Sequence, residues 1–76
     1  MKTVNIDGKD FVYNAGDVWK VEVGKGEKGG YHSRYTLDTP HSAMFYFNGI
    51  NIGRGFKKRL SLIQNGKKVT VARATS

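Results

Sequence analysis

Seventy-six residues with 38% hydrophobic content, no cysteine and a formal net charge of +7 describe one small basic domain spanning residues 1–76. A chain this short buries only about 60% of its unfolded surface, and without thiols it has no disulfide framework and no thiolate metal site. No apolar run approaches the roughly 20 residues of a membrane-spanning helix, and the start Met-Lys-Thr-Val-Asn-Ile-Asp has no apolar signal core, so a cytoplasmic protein, or a nuclear one in a eukaryote, is expected.

The chain opens as a β-hairpin over residues 2–13. Asp7-Gly8 is a favoured type I′ pair, and a two-residue loop there sets Ile6 opposite Lys9, Val4 opposite Phe11 and Lys2 opposite Tyr13. The Val4/Phe11 pair is apolar, so turn chemistry and patterning agree. Asn14-Ala15-Gly16-Asp17 is a turn. A strand follows from Val18 to Val23, with Trp19, Val21 and Val23 on the core side and Val18, Lys20 and Glu22 on the other.

The stretch 24–30, Gly-Lys-Gly-Glu-Lys-Gly-Gly, is a glycine-rich loop with neither the spacing nor the closing Gly-Lys-Ser/Thr of a nucleotide-binding loop. It reads as a flexible hairpin connection. A second alternating strand runs from Tyr31 to Leu37, with Tyr31, Ser33, Tyr35 and Leu37 on one face and His32, Arg34 and Thr36 on the other. Asp38-Thr39-Pro40 breaks it. The aromatic run Met44–Phe47 predicts a central strand, Asn48-Gly49 a second I′ turn, and Ile50 and Ile52 one face of the next short strand.

Residues 56–63 are ambiguous: Phe56, Leu60 and Ile63 fit a helix, whereas Phe56, Leu60 and Leu62 fit a strand. Asn65-Gly66 and the β-branched run Val69-Thr70-Val71 favour a closing hairpin over residues 56–74. Its expected register pairs Leu62 with Val69 and Leu60 with Val71 on one face, and Ser61 with Thr70 and Arg59 with Ala72 on the other. The same register sets Lys58 opposite Arg73. The fold class is therefore all-β: a small antiparallel sheet or partly open barrel of five or six strands, of the size of SH3-like or OB barrels. One short helix near residues 38–44 or 55–64 is compatible with this pattern, and α+β is the second choice.

Charge is unevenly distributed. Residues 1–38 balance six Lys or Arg against six Asp or Glu, whereas residues 39–76 carry seven Lys or Arg and no acid. Such a field attracts a polyanion through steering and counterion release. The candidate contacts are Arg54, Lys57, Lys58, Arg59 and Arg73 at one end of the closing hairpin, with Lys67 and Lys68 beside its turn. Tyr31, Tyr35 and Tyr46 are candidate stacking platforms for bases, ahead of Phe45 and Phe47. The expected function is a non-catalytic nucleic-acid-binding module that holds the phosphate backbone of DNA or RNA with little sequence specificity. The rival is an accessory or inhibitor module docking on an acidic surface of a partner protein. Unpaired sheet edges in so small a domain also allow a homodimer.

Catalytic signatures are sparse. Nine residues separate His32 from His41, with no HExxH beside them, so neither metal nor cofactor is expected. Asp38, His41 and Ser42 include the residue types of a hydrolytic triad, but no nucleophile elbow accompanies them. The enzymatic alternative is a nuclease with His32 as base and Arg34 or Arg54 stabilising a phosphorane.

Overall fold

A computed structural model describes all 76 residues. Six strands and one helix follow in the order β1 (Lys2–Ile6), β2 (Lys9–Tyr13), β3 (Val18–Lys25), β4 (Tyr31–Leu37), α1 (Pro40–Gly49), β5 (Phe56–Gln64) and β6 (Lys67–Thr75). They form two antiparallel sheets, the hairpin β1-β2 and a four-stranded sheet in the order β4-β3-β5-β6. No barrel closes, so β4 and β6 remain edges.

Local chemistry accounts for the hairpins. Asp7 and Gly8 have φ of 53° and 84°, and Asn65 and Gly66 have 50° and 79°, the left-handed backbone that a type I′ turn requires. The β1-β2 register is the expected one, with Val4 opposite Phe11. Residues 56–64 are strand, paired along their length with β3.

Residues 40–49 depart from the sequence reading. The run Met44–Phe47 lies in α1 rather than a central strand, Asn48-Gly49 ends that helix rather than turning a hairpin, and residues 50–52 form no strand. The helix start is written in Thr39-Pro40. Thr39 is the N-cap, its Oγ1 accepting from the Ser42 N–H at 3.2 Å, and Pro40 opens the first turn, where its missing N–H costs nothing. Pro40, Ala43 and Phe47 then fall on one buried face. Phe45 and Tyr46 are apolar yet exposed, and this blurs the helical period.

The helix and the β1-β2 hairpin cover the same side of the large sheet. Ile6, Ala43 and Phe47 meet Trp19, Val21, Leu60 and Leu62 in one core, flanked by Val4, Phe11 and Tyr13. Trp19 is fully buried, as its in-phase valines suggested, and the Tyr13 ring meets it edge-on at 5.6 Å. Gln64 ties the hairpin to the sheet by donating to the Val12 carbonyl and the Asp17 carboxylate.

Two irregularities redirect side chains. Between β5 and β6 the register shifts, so that Leu60 faces Ala72 rather than Val71, Arg59 faces Arg73, and Lys58 faces Ala74. The expected Leu60/Val71, Arg59/Ala72 and Lys58/Arg73 pairs are thereby corrected. The unpaired residue is Val71; it avoids setting Arg73 against Lys58 on the covered side, and Ala74 leaves room for the Lys58 stem. Between β3 and β4 a second shift makes Arg34 the extra residue, with Val21 opposite Tyr35 and Glu22 opposite Ser33. Tyr31 and Tyr35 therefore lie on opposite faces, not on the shared one that simple alternation predicts.

Candidate functional site

The face of the large sheet that turns away from helix and hairpin gathers a group of cations. Strand alternation directs Lys20, Glu22 and Gly24 of β3 to it, and the β3-β5 register sets Ser61, Arg59 and Lys57 directly opposite them. β6 adds Lys68 and Arg73, and β4 adds Tyr31 opposite Gly24. Five cations thus share this surface with one carboxylate.

That carboxylate is buried. Glu22 is 4% exposed and lies within a triad of donors: Arg59 Nε at 2.9 Å and the Ser61 hydroxyl at 2.8 Å on Oε1, and Lys68 Nζ at 2.9 Å on Oε2. Burial alone would push the Glu22 pKa up, but the bonds from Arg59, Lys68 and Ser61 together outweigh it and hold the group at about 2. A buried carboxylate with charge-assisted bonds on both oxygens fixes its partners in place. It also neutralises part of their charge, while the Lys68 side chain stays 41% exposed.

Tyr31 organises the other end. The Arg59 guanidinium lies 3.9 Å from its ring centroid and Lys57 Nζ lies 4.6 Å away. Lys57 also donates to the Glu27 carbonyl at 3.2 Å, joining the sheet to the glycine-rich loop. Gly24 permits this: a Cβ there would lie 2.9 Å from Lys57 Cε and 2.7 Å from the Gly30 carbonyl oxygen.

The structure divides the residues singled out from sequence. Lys57, Arg59, Lys68, Arg73 and Tyr31 share the open face. Arg54 sits in the turn before β5, at the end of the sheet where Lys57 lies, whereas Lys67, opposite Gln64, has the strand parity of the covered side. Lys58 belongs to the covered side. Its ammonium donates to the Phe47 and Ile50 carbonyls at 2.5 and 3.1 Å and lies 4.6 Å from the Phe47 ring centroid, so it caps the helix C-terminus. Tyr35 and Tyr46 are also on the helix side, stacked with centroids 4.6 Å apart. There they border an open groove of about 490 Å³ with Arg34 and Phe45.

Lys20 and Glu22 join the site although the charge-rich second half of the chain does not contain them. Their in-phase spacing on β3 was visible in the sequence; the β3-β5 pairing that brings Glu22 to Arg59, across 37 residues, was not. His32 and His41 stand on different elements, β4 and α1, and no group of three His, Cys, Asp or Glu side chains is placed to hold a metal ion. No protein-family model, curated protein or solved structure matches the chain.

Proposed function

We propose that this chain is a small, non-catalytic nucleic-acid-binding module whose uncovered sheet face tracks a phosphate backbone with little sequence specificity. The observation that carries the reading is the content of that face: Lys20, Lys57, Arg59, Lys68 and Arg73 against the single, already neutralised Glu22. A strip of cations along an uncovered sheet face suits a repeating polyanion. Arg59 is committed to Glu22 and Tyr31 and Lys68 to Glu22, which leaves Lys20, Lys57 and Arg73 to contact phosphates, with Arg54 extending the strip at the Lys57 end. Lys58 has no part in it, because its ammonium is held by the helix carbonyls.

The test is binding to labelled single- and double-stranded DNA and RNA over a salt series, with an acidic polypeptide as control. Three phosphate contacts predict a slope of log affinity against log salt of about −2 to −3. A Lys57→Glu/Arg73→Glu variant that stays folded should lose most of its binding, with a shallower slope. Undiminished binding by that variant refutes the site. Tighter binding to the acidic polypeptide than to any nucleic acid would favour the rival, docking on an acidic protein surface.

A further inference from the structure

The outer edge of β4 bears no strand, helix or hairpin, and three features there are complementary to a second copy of themselves. The first is backbone direction. The Gly26 N–H reaches the Gly55 carbonyl at 2.8 Å, so even-numbered residues of β3 send their backbone groups toward β5 and odd-numbered ones toward β4. Tyr35 and Leu37 oppose odd-numbered Val21 and Trp19, whereas Thr36 opposes Lys20. The N–H and C=O of Thr36 therefore point outward from the edge.

The second feature is charge. Arg34 and Asp38 lie two residues to either side of Thr36, both exposed, and the ion pairs of the chain involve neither. An antiparallel pair with its two-fold axis at Thr36 brings Arg34 of each copy, the extra residue of the β4 irregularity, beside Asp38 of the other, one residue past the end of the strand. Centring on residue 34 or 38 would instead oppose like charges, and centring on residue 35 or 37 would not bring Arg34 opposite Asp38, so the flanking charges favour the register about Thr36.

The third feature is apolar surface beside the same edge. Phe45 is 74% exposed and Tyr46 39% exposed, and Tyr46 stacks on Tyr35 while Phe45 meets Tyr46 edge-on at 5.6 Å. A two-fold axis normal to the sheet keeps like faces together, so both helix layers lie on one side and these aromatic clusters approach each other across it.

We propose that the β4 edge is a homodimer interface, isologous about Thr36, with Arg34/Asp38 ion pairs at both ends and Tyr35 opposite Leu37 between them. The product is one eight-stranded antiparallel sheet in the order β6-β5-β3-β4-β4-β3-β5-β6. Its uncovered side joins the two basic faces into one surface. Dimerisation itself does not rest on the nucleic-acid reading. Only its consequence does, a doubled binding face.

Sedimentation equilibrium over a concentration series tests the interface without any ligand. The wild-type mass should rise from 8.5 kDa toward twice that value. Arg34→Asp and Asp38→Arg, each replacing attraction by repulsion at both ends, should weaken association by about tenfold or more, and the double charge swap should restore it. Thr36→Pro removes an N–H that the sheet does not use, so that variant should melt as a folded monomer. A wild-type mass of 8.5 kDa at every concentration overturns the proposal. So does a dimer that Arg34→Asp and Thr36→Pro leave intact, or a double swap that stays monomeric while folded.

Discussion

Glu22→Gln separates stability from binding on the open face. The carboxyl pKa falls from an ordinary 4.5 to about 2 in the fold, because bonds from Arg59, Lys68 and Ser61 outweigh the cost of burial. At about 1.4 kcal/mol per pKa unit, that difference corresponds to about 3 kcal/mol of stability at neutral pH. Solvent around the half-exposed Lys68 screens part of it, so about 2 kcal/mol is the working figure. For a domain of this size that is a fall in Tm of about 8–16 °C. The folded pKa lies below the unfolded one, so this stability is fully present above pH 4.5 and is lost as pH falls toward 2. Urea or thermal unfolding of both proteins from pH 7 to pH 2 should show two curves that converge at the acid end. The same variant raises the charge of the face by one and releases Lys68, so nucleic-acid affinity should increase and the salt slope steepen by about one. Equal stability at pH 7, or a difference that persists unchanged at pH 2, would refute the assignment of the triad. Weaker nucleic-acid binding by folded Glu22→Gln would count against the proposed face.

Other outcomes follow from the same geometry. Lys58→Met removes two charge-assisted bonds to the Phe47 and Ile50 carbonyls and should cost about 1–2 kcal/mol in urea unfolding, with binding to nucleic acid unchanged at temperatures where the variant is folded. Gly29→Ala places a Cβ 2.0 Å from the Lys25 carbonyl oxygen, so the loop must rearrange, and a loss of about 1–3 kcal/mol is expected in the same assay.

Sequence alone determined what depends on neighbours along the chain. Asp7-Gly8 and Asn65-Gly66 dictated two hairpins because only a few residue pairs accept positive φ at both turn positions. Alternation identified the Trp19 face as core. The Thr39-Pro40 cap was present too, but Pro40 also breaks strands, and the exposed Phe45 and Tyr46 gave α1 no clean apolar stripe.

Tertiary structure decided what depends on contact between distant segments. The β3-β5 pairing delivers Arg59 and Ser61 to Glu22, and nothing within either strand specifies it. Two one-residue register shifts, at Arg34 and Val71, then decide which face each later side chain occupies, since strand side chains alternate with a period of two. Those shifts place Arg73 with Arg59 on the open face and part Tyr31 from Tyr35. The basic charge was legible from composition; its arrangement into one surface, with Lys58 held apart as a helix cap, exists only once the sheet has closed over its core.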